Sequence, residues 1–263
     1  KKAKQKHKET LEQFKKTNSS NKIPTPPKGQ IYTCLNCNGS GLILTTDLPL
    51  VDNENYPHIA IIGGGIGGVA LAVACLHRKI PFTLYERDNN FNERSQGYGL
   101  TLQQASKAMA ALGIVSLKNG VTSTRHVVHN TKGEIIGEWG IRKWGRLDTK
   151  AQPKRKNIHI ARQSLRLALL EQLGENDAIK WGHQLIDFKE SNDGVTLNFK
   201  VNNEIKFAKA DLLVGADGIR STVRKQLIGE KNTPLRYLGC IVILGICPLK
   251  NLKNIESPLL DSA

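Results

Sequence analysis

The chain has 263 residues, room for one or two domains. Hydrophobic residues make up 39% of it and charged residues 23%, enough apolar side chain for a core and too much for a wholly disordered chain. The net charge of +15 is lopsided: residues 1–28 hold nine Lys against two Glu, and residues 142–156 hold seven Lys or Arg against Asp148 alone. A tail and one loop therefore carry most of the charge, and a nucleic-acid-binding domain is not expected. The most apolar windows, such as 59–75, are glycine-rich and too short to span a bilayer, so no transmembrane segment is expected either.

Large apolar residues are few in the first 28 positions, chiefly Leu11, Phe14 and Ile23, and Pro24, Pro26 and Pro27 mark a linker. A largely disordered basic extension is expected over residues 1–56. Its lysines fit a nuclear-targeting signal, nucleic-acid contact, an anionic membrane surface or a solvated tail, the commonest role of such runs. No apolar stretch follows them and no Arg accompanies them, which argues against a secretory signal and a mitochondrial presequence.

Within this extension, Cys34-Leu-Asn-Cys37-Asn-Gly-Ser-Gly41 places two thiols on one tight turn. Two thiolates at this spacing make half of a tetrahedral zinc site, and the motif resembles one repeat of the zinc domain of J-domain chaperones. The other half would have to come from a second chain or from His ligands elsewhere. A reduced structural loop and a redox pair are the competing readings of Cys34 and Cys37. Five cysteines without disulfide-like spacing fit a reducing compartment, so a cytoplasmic location is expected, with a nuclear one allowed by the lysines.

The strongest motif begins at His58. A β-branched run, Ile59-Ala-Ile-Ile62, reads as a buried parallel strand and enters Gly63-x-Gly65-x-x-Gly68, after which an Ala/Leu-rich helix follows. Gly63 permits the tight turn, Gly65 lets backbone approach a pyrophosphate, and Gly68 lets the helix pack on the strand. The helix start, at Ile66 and Gly67, offers backbone N–H groups to phosphate. Pro81-Phe-Thr-Leu-Tyr-Glu86 then reads as a second strand ending in an acid, 18 residues beyond Gly68. A carboxylate there accepts ribose hydroxyls and repels a 2'-phosphate, so the nucleotide is FAD or NAD rather than NADP. Glu86 is a candidate ribose ligand, with Arg87 beside it. Replacing Glu86 by Arg is expected to abolish cofactor retention without unfolding the chain.

Spacing does not separate FAD from NAD. Gly97-Tyr-Gly99-Leu-Thr-Leu, leading into a helix from Ala105 to Leu112, resembles the segment after the second strand in class A flavoprotein monooxygenases, the group of para-hydroxybenzoate and salicylate hydroxylases. Gln103-Gln104 stands where many members have Pro-Asn. Ile158-His-Ile-Ala-Arg162-Gln-Ser-Leu165 resembles the family's Arg-x-x-Leu entry into a long helix, capped here by Gly174. The resemblance implies that Arg162 contacts the flavin cofactor. Ala210 to Gly215 reads as a buried strand running into Asp217-Gly218, with a helix opening near Ser221. It is similar to the family's Asp-Gly motif, which implies that Asp217 and Gly218 hold the phosphate–ribityl region. Between these matches, three stretches, 185–189, 195–201 and 205–208, alternate partly between apolar and polar residues, with turns at Asn192-Asp-Gly194 and Asn202-Asn203. This antiparallel meander also matches the family, whereas an NAD dehydrogenase would more often continue with strand–helix units.

The expected fold is therefore α/β, a Rossmann-like FAD-binding fold with a meander insert and part of a β-sheet substrate domain over residues 57–263. A hairpin is expected within 121–140, and its His126 and His129 are weak acid–base candidates. The family's third FAD motif, a Gly-Asp with small residues, has no counterpart between Arg224 and Ala263. The sequence is accordingly expected to be a truncated member or the first part of a longer one. The resemblance implies an oxidoreductase with bound FAD, NAD(P)H as reductant, and O2 and a small, often aromatic, molecule as substrates; the catalytic side chains and the oligomeric state are left open. An NAD-dependent dehydrogenase and a degenerate nucleotide-binding or zinc-linked interaction module are the alternatives.

Overall fold

A computed structural model describes residues 2–17, 24–26, 34–37, 41–93, 98–103, 105–114, 116–122, 125–140, 157–174, 177–243 and 251. The basic stretch 142–156, Gly97, Gln104, Gly39, Cys247 and Leu260–Ala263 lie outside them. The chain divides into two units, Lys1–Ile43 and Leu44–Ala263, a boundary earlier than the one expected after residue 56. Residues 44–56 join the second unit because the Asp52 N–H donates to the Lys79 carbonyl at 2.8 Å and Leu48 lies beside Gly174.

In the first unit, Lys2–Thr17 is a helix (α1) within the stretch expected to be an extension. Its Lys, Glu, Gln, Ala and Leu residues are good helix formers. Lys15 and Lys16 in the last turn complement the helix dipole. His7, Leu11 and Phe14, at helical spacing, are its half-buried stripe. Low apolar content argues against a large core, but it does not prevent a single helix of favourable residues.

The second unit follows in chain order: β1 (Ile59–Ile62), α2 (Ile66–His77), β2 (Phe82–Tyr85), β3 (Gly99–Thr101), α3 (Ala105–Ala111), β4 (Val121–Thr122), β5 (Arg125–His129), β6 (Ile135–Gly140), β7 (Ile158–Ala161), α4 (Arg162–Glu171), β8 (Ile179–Lys180), β9 (Gln184–Ser191), β10 (Gly194–Val201), β11 (Glu204–Ala210), β12 (Leu212–Gly215) and α5 (Thr222–Ile228). The parallel sheet has the order β12-β1-β2-β8, with Ile59 opposite both Leu212 and Phe82. β9, β10 and β11 form the antiparallel meander. β5 and β6 form the expected hairpin, while β3, β7 and β4 make a second small antiparallel sheet. β8 was not legible in the sequence, because two residues carry no period.

β1 has no polar alternation because both of its faces are covered. Ile59 and Ile61 face a core with Val69, Val73 and Leu76 of α2 and Leu165 and Leu169 of α4. Ala60 and Ile62 face the opposite core, with Leu185, Phe188, Leu197 and Phe199 of the meander. The period-two alternation of strand side chains sends alternate residues into two different apolar layers. The result is helices, parallel sheet and meander stacked in that order.

One strand departs from expectation. β12 is not buried or central: it lies at the edge of the sheet among the described residues, and Leu212 is 47% exposed. Four apolar residues in a row are compatible with an edge position as well as a central one, and the sequence does not tell them apart.

Candidate functional site

The glycine turn is set by sterics. Gly63 has φ +105°, and a Cβ there would lie 2.5 Å from the Ala216 carbonyl oxygen. A Cβ on Gly68 would lie 1.9 Å from the Gly63 carbonyl oxygen, so α2 can sit this close to the turn only with glycine. Gly65 and Gly67 differ: a Cβ on either would meet open space. That space belongs to a cleft of about 840 Å³ at the carboxyl ends of β1, β2 and β12. No side chain caps the N-terminus of α2, so its first N–H groups face the cleft with the positive end of the helix dipole.

Glu86 follows β2 directly and is 8% exposed. Its Oε2 accepts the Gly64 N–H at 2.7 Å and its Oε1 accepts the Asp88 N–H at 3.0 Å. A carboxylate has about four lone-pair sites, so each oxygen keeps capacity for a ribose hydroxyl. Arg87 also lines the cleft and lies 3.9 Å from Asp88.

Arg166 was not singled out from the sequence. This buried arginine of α4 donates from Nε to the Gly64 carbonyl at 2.6 Å and places Nη2 4.0 Å from Glu86 Oε2. Its guanidinium lies 5.2 Å from the Phe91 ring centre and 5.5 Å from that of Trp181. It thus ties together both halves of the fingerprint, the glycine turn and the acid. A signal was present: residue 166 puts a charge between Leu165 and Leu169 on the buried face of the helix. Glu86→Arg, expected to spare the fold, would instead bury a second cation against Arg166.

Arg162, at the first position of α4, lines the cleft, with its guanidinium 5.6 Å from the Tyr98 ring centre and its N–H donating to the Tyr98 carbonyl at 3.1 Å. The ring is the partner that a cation at a helix start requires. Asp217 and Gly218 line the cleft as well. The Asp217 carboxylate, however, is turned to α5: it accepts Ser221 Oγ at 2.5 Å, the Thr222 N–H at 2.7 Å and the Val223 N–H at 3.2 Å. Ser221 Oγ in turn accepts the Arg224 N–H at 2.9 Å. Arg224 also donates to the Gly218 carbonyl at 3.3 Å, so the Asp-Gly turn is clamped from both sides.

Tyr85 lines the cleft from β2, and burial pushes its phenol above the ordinary range, against a smaller opposite effect of its hydrogen bond with Thr83, which keeps it neutral. His183, Gln184 and Arg220 also line the cleft and were not singled out from the sequence. His126 and His129 are not among the cleft residues: His126 stacks on Trp139 at 5.4 Å, and His129 Nδ1 lies 2.9 Å from the Gly133 carbonyl. Cys34 and Cys37 sit in the other unit, and among the described residues no group of three or more metal-ligating side chains gathers. No helix among the described residues is long and apolar enough to cross a membrane.

A strand, glycine turn, helix and acid around a cleft at the strand ends define a dinucleotide-binding α/β protein. A family model described as the FAD binding domain matches residues 57–240, and the chain belongs to this family, that of the class A flavin monooxygenases. It is similar to the chloroplastic zeaxanthin epoxidase of Oryza sativa subsp. japonica, 29% identical over 195 residues, which cover 70% of this chain and 28% of the relative. It is also similar to the aurachin C monooxygenase/isomerase of Stigmatella aurantiaca, 31% identical over 194 residues, covering 72% and 47%. The solved structure of 2,6-dihydroxypyridine-3-hydroxylase from Arthrobacter nicotinovorans matches in fold with a TM-score of 0.53 at 22% identity, over 66% of this chain and 40% of that one. The chain spans less than half the length of each of these relatives.

The residues present fit FAD. The open positions at Gly65 and Gly67 leave room for a phosphate against the helix N-terminus, and Glu86 stands at the end of β2 with acceptor capacity to spare.

Proposed function

We propose that this chain is the cofactor-holding part of an FAD-dependent monooxygenase that uses NAD(P)H and O2 to oxygenate a small organic, often aromatic, molecule. The observation that carries this reading is one cleft lined at once by the glycine turn, Glu86, Arg162 and Asp217-Gly218, in a chain of the FAD-binding family. FAD, once bound there, would supply the redox chemistry between the nicotinamide and oxygen.

The chain's own residues bind and orient. The first turn of α2 meets the pyrophosphate with N–H groups and dipole. Glu86 accepts ribose hydroxyls, and Arg166 sets a cation 4.0 Å behind its Oε2. Arg162 and Arg220 add positive charge on the cleft wall. Asp217 acts through the backbone: by capping α5 it fixes the Gly218 turn at the cleft. The meander in place of further strand–helix units speaks against a simple NAD dehydrogenase.

The test is flavin retention. The purified chain, loaded with FAD and desalted, should keep a visible flavin spectrum that is released on denaturation. A chain that remains colourless while folded overturns the proposal.

A further inference from the structure

Beyond Glu86 the cleft carries groups that the phosphate and ribose contacts leave unused. In the parallel sheet β8 lies next to β2, on the side away from β1. The chain leaving β8 closes on the ribose acid: the His183 N–H donates to the Glu86 carbonyl at 2.8 Å, and the Gly182 N–H to the Asp88 carbonyl at 2.9 Å. In a doubly wound site the phosphates sit at the first turn and the ribose at the acid ending the second strand. A nucleotide laid from β1 to β2 therefore carries its base onward, to the loop after β8.

His183 stands there with a fixed polarity. Its ring lies 5.7 Å from Tyr85 and 5.6 Å from Phe199, the latter edge-on at 73°. Its Nδ1 is 2.7 Å from the Trp181 carbonyl oxygen. A carbonyl only accepts, so the neutral imidazole holds its proton on Nδ1 and presents Nε2 as an acceptor. Among the described residues Nε2 has no hydrogen bond, and the residue lines the cleft. An acceptor at this place suits a base edge that donates.

We propose that His183 is a specificity-determining residue for the nucleobase: Nε2 accepts from the exocyclic amine of adenine and disfavours a 6-oxopurine, whose carbonyl would face the same lone pair. The proposal rests on the FAD reading and names the residue that makes the adenosine end selective. A site built around one donor rejects an analogue lacking it, because the buried acceptor is left unpaired.

The experiment uses the full chain and three soluble probes: ADP, IDP and purine riboside 5'-diphosphate, which has hydrogen at the 6-position. Calorimetric titration should rank them ADP, then purine riboside diphosphate, then IDP, with about tenfold between first and last. His183→Phe keeps a ring against Tyr85 and Phe199 but has no acceptor. It should bring ADP and IDP within about twofold, through weaker ADP binding. Equal binding of the three probes by the natural chain overturns the proposal, and needs no variant. An equal weakening of ADP and IDP in His183→Phe also overturns it, since a merely structural histidine would act on both alike. Selectivity lost together with FAD binding in the natural chain would overturn the FAD reading as well, whereas FAD binding without purine selectivity overturns this inference alone.

Discussion

Arg166 Nε lies 2.6 Å from the Gly64 carbonyl oxygen, a contact between a buried helix arginine and the glycine turn, 102 positions apart in the chain. The same guanidinium reaches towards Glu86 and is covered by Phe91 and Trp181. Arg166→Met should therefore leave a buried carboxylate without its neighbouring cation, at a cost of about 3 kcal/mol in unfolding free energy. Denaturant unfolding checks this. The change should also weaken FAD binding, and Arg166→Lys should restore the charge but only part of the affinity, because the planar fork and the ring contacts are lost. Unchanged stability in Arg166→Met would show that the contact is incidental.

The glycines of the turn should separate into two kinds. Gly65→Ala places its methyl in open cleft space at an ordinary backbone angle, so the variant should unfold at the same denaturant concentration yet lose FAD. Gly68→Ala drives its methyl into the Gly63 carbonyl and should fail to give a stable fold. Flavin retention and circular dichroism, measured on both, distinguish the outcomes. FAD bound with full affinity by Gly65→Ala would contradict the placement of the phosphates.

Glu86→Gln is the isosteric test of the ribose acid. It can still accept the Gly64 N–H while losing the charge and half of the acceptor capacity. FAD affinity should fall by about tenfold, and stability should fall, though less than in Glu86→Arg, because the Asp88 N–H loses its acceptor and Arg166 its counter-charge.

Ser221→Ala removes the hydroxyl that bridges Asp217 and the Arg224 N–H. Loss of this cap should cost about 0.5–2 kcal/mol. It should loosen FAD as well, since Asp217 reaches the cleft through the turn it stabilises.

Stability should fall on both sides of neutral pH. Burial holds His77 below its ordinary 6.5, with Arg78 adding to the effect. The folded state thus resists protonation, and this contribution, complete above pH 6.5, is lost as pH falls through the folded value. Burial raises the Cys75 thiol above 9.0 against an opposing effect of Arg78, and raises Tyr85 above 10.0. Those contributions are complete below the ordinary values and are lost as pH rises through the folded ones. Thermal unfolding from pH 5 to pH 10 checks the shape, and His77→Gln should flatten the acidic side.

The sequence alone determined the local geometry of this protein. Gly63 is required by its left-handed backbone angle and Gly68 by the nearby Gly63 carbonyl, the Ile59–Ile62 run by burial on both faces, and the meander by alternation and turn residues. Glu86 was legible because the distance from turn to acid is set by one strand–helix–strand unit. The tertiary structure decided the rest. It joined Arg166 to Gly64 and His183 to Glu86, put β12 at the sheet edge, and turned the Asp217 carboxylate to α5. Periodicity reports which face of an element is buried; it does not report which distant backbone carbonyl a buried charge will find. Polar groups removed from water must pair, and the partner is set by packing between elements far apart in the chain.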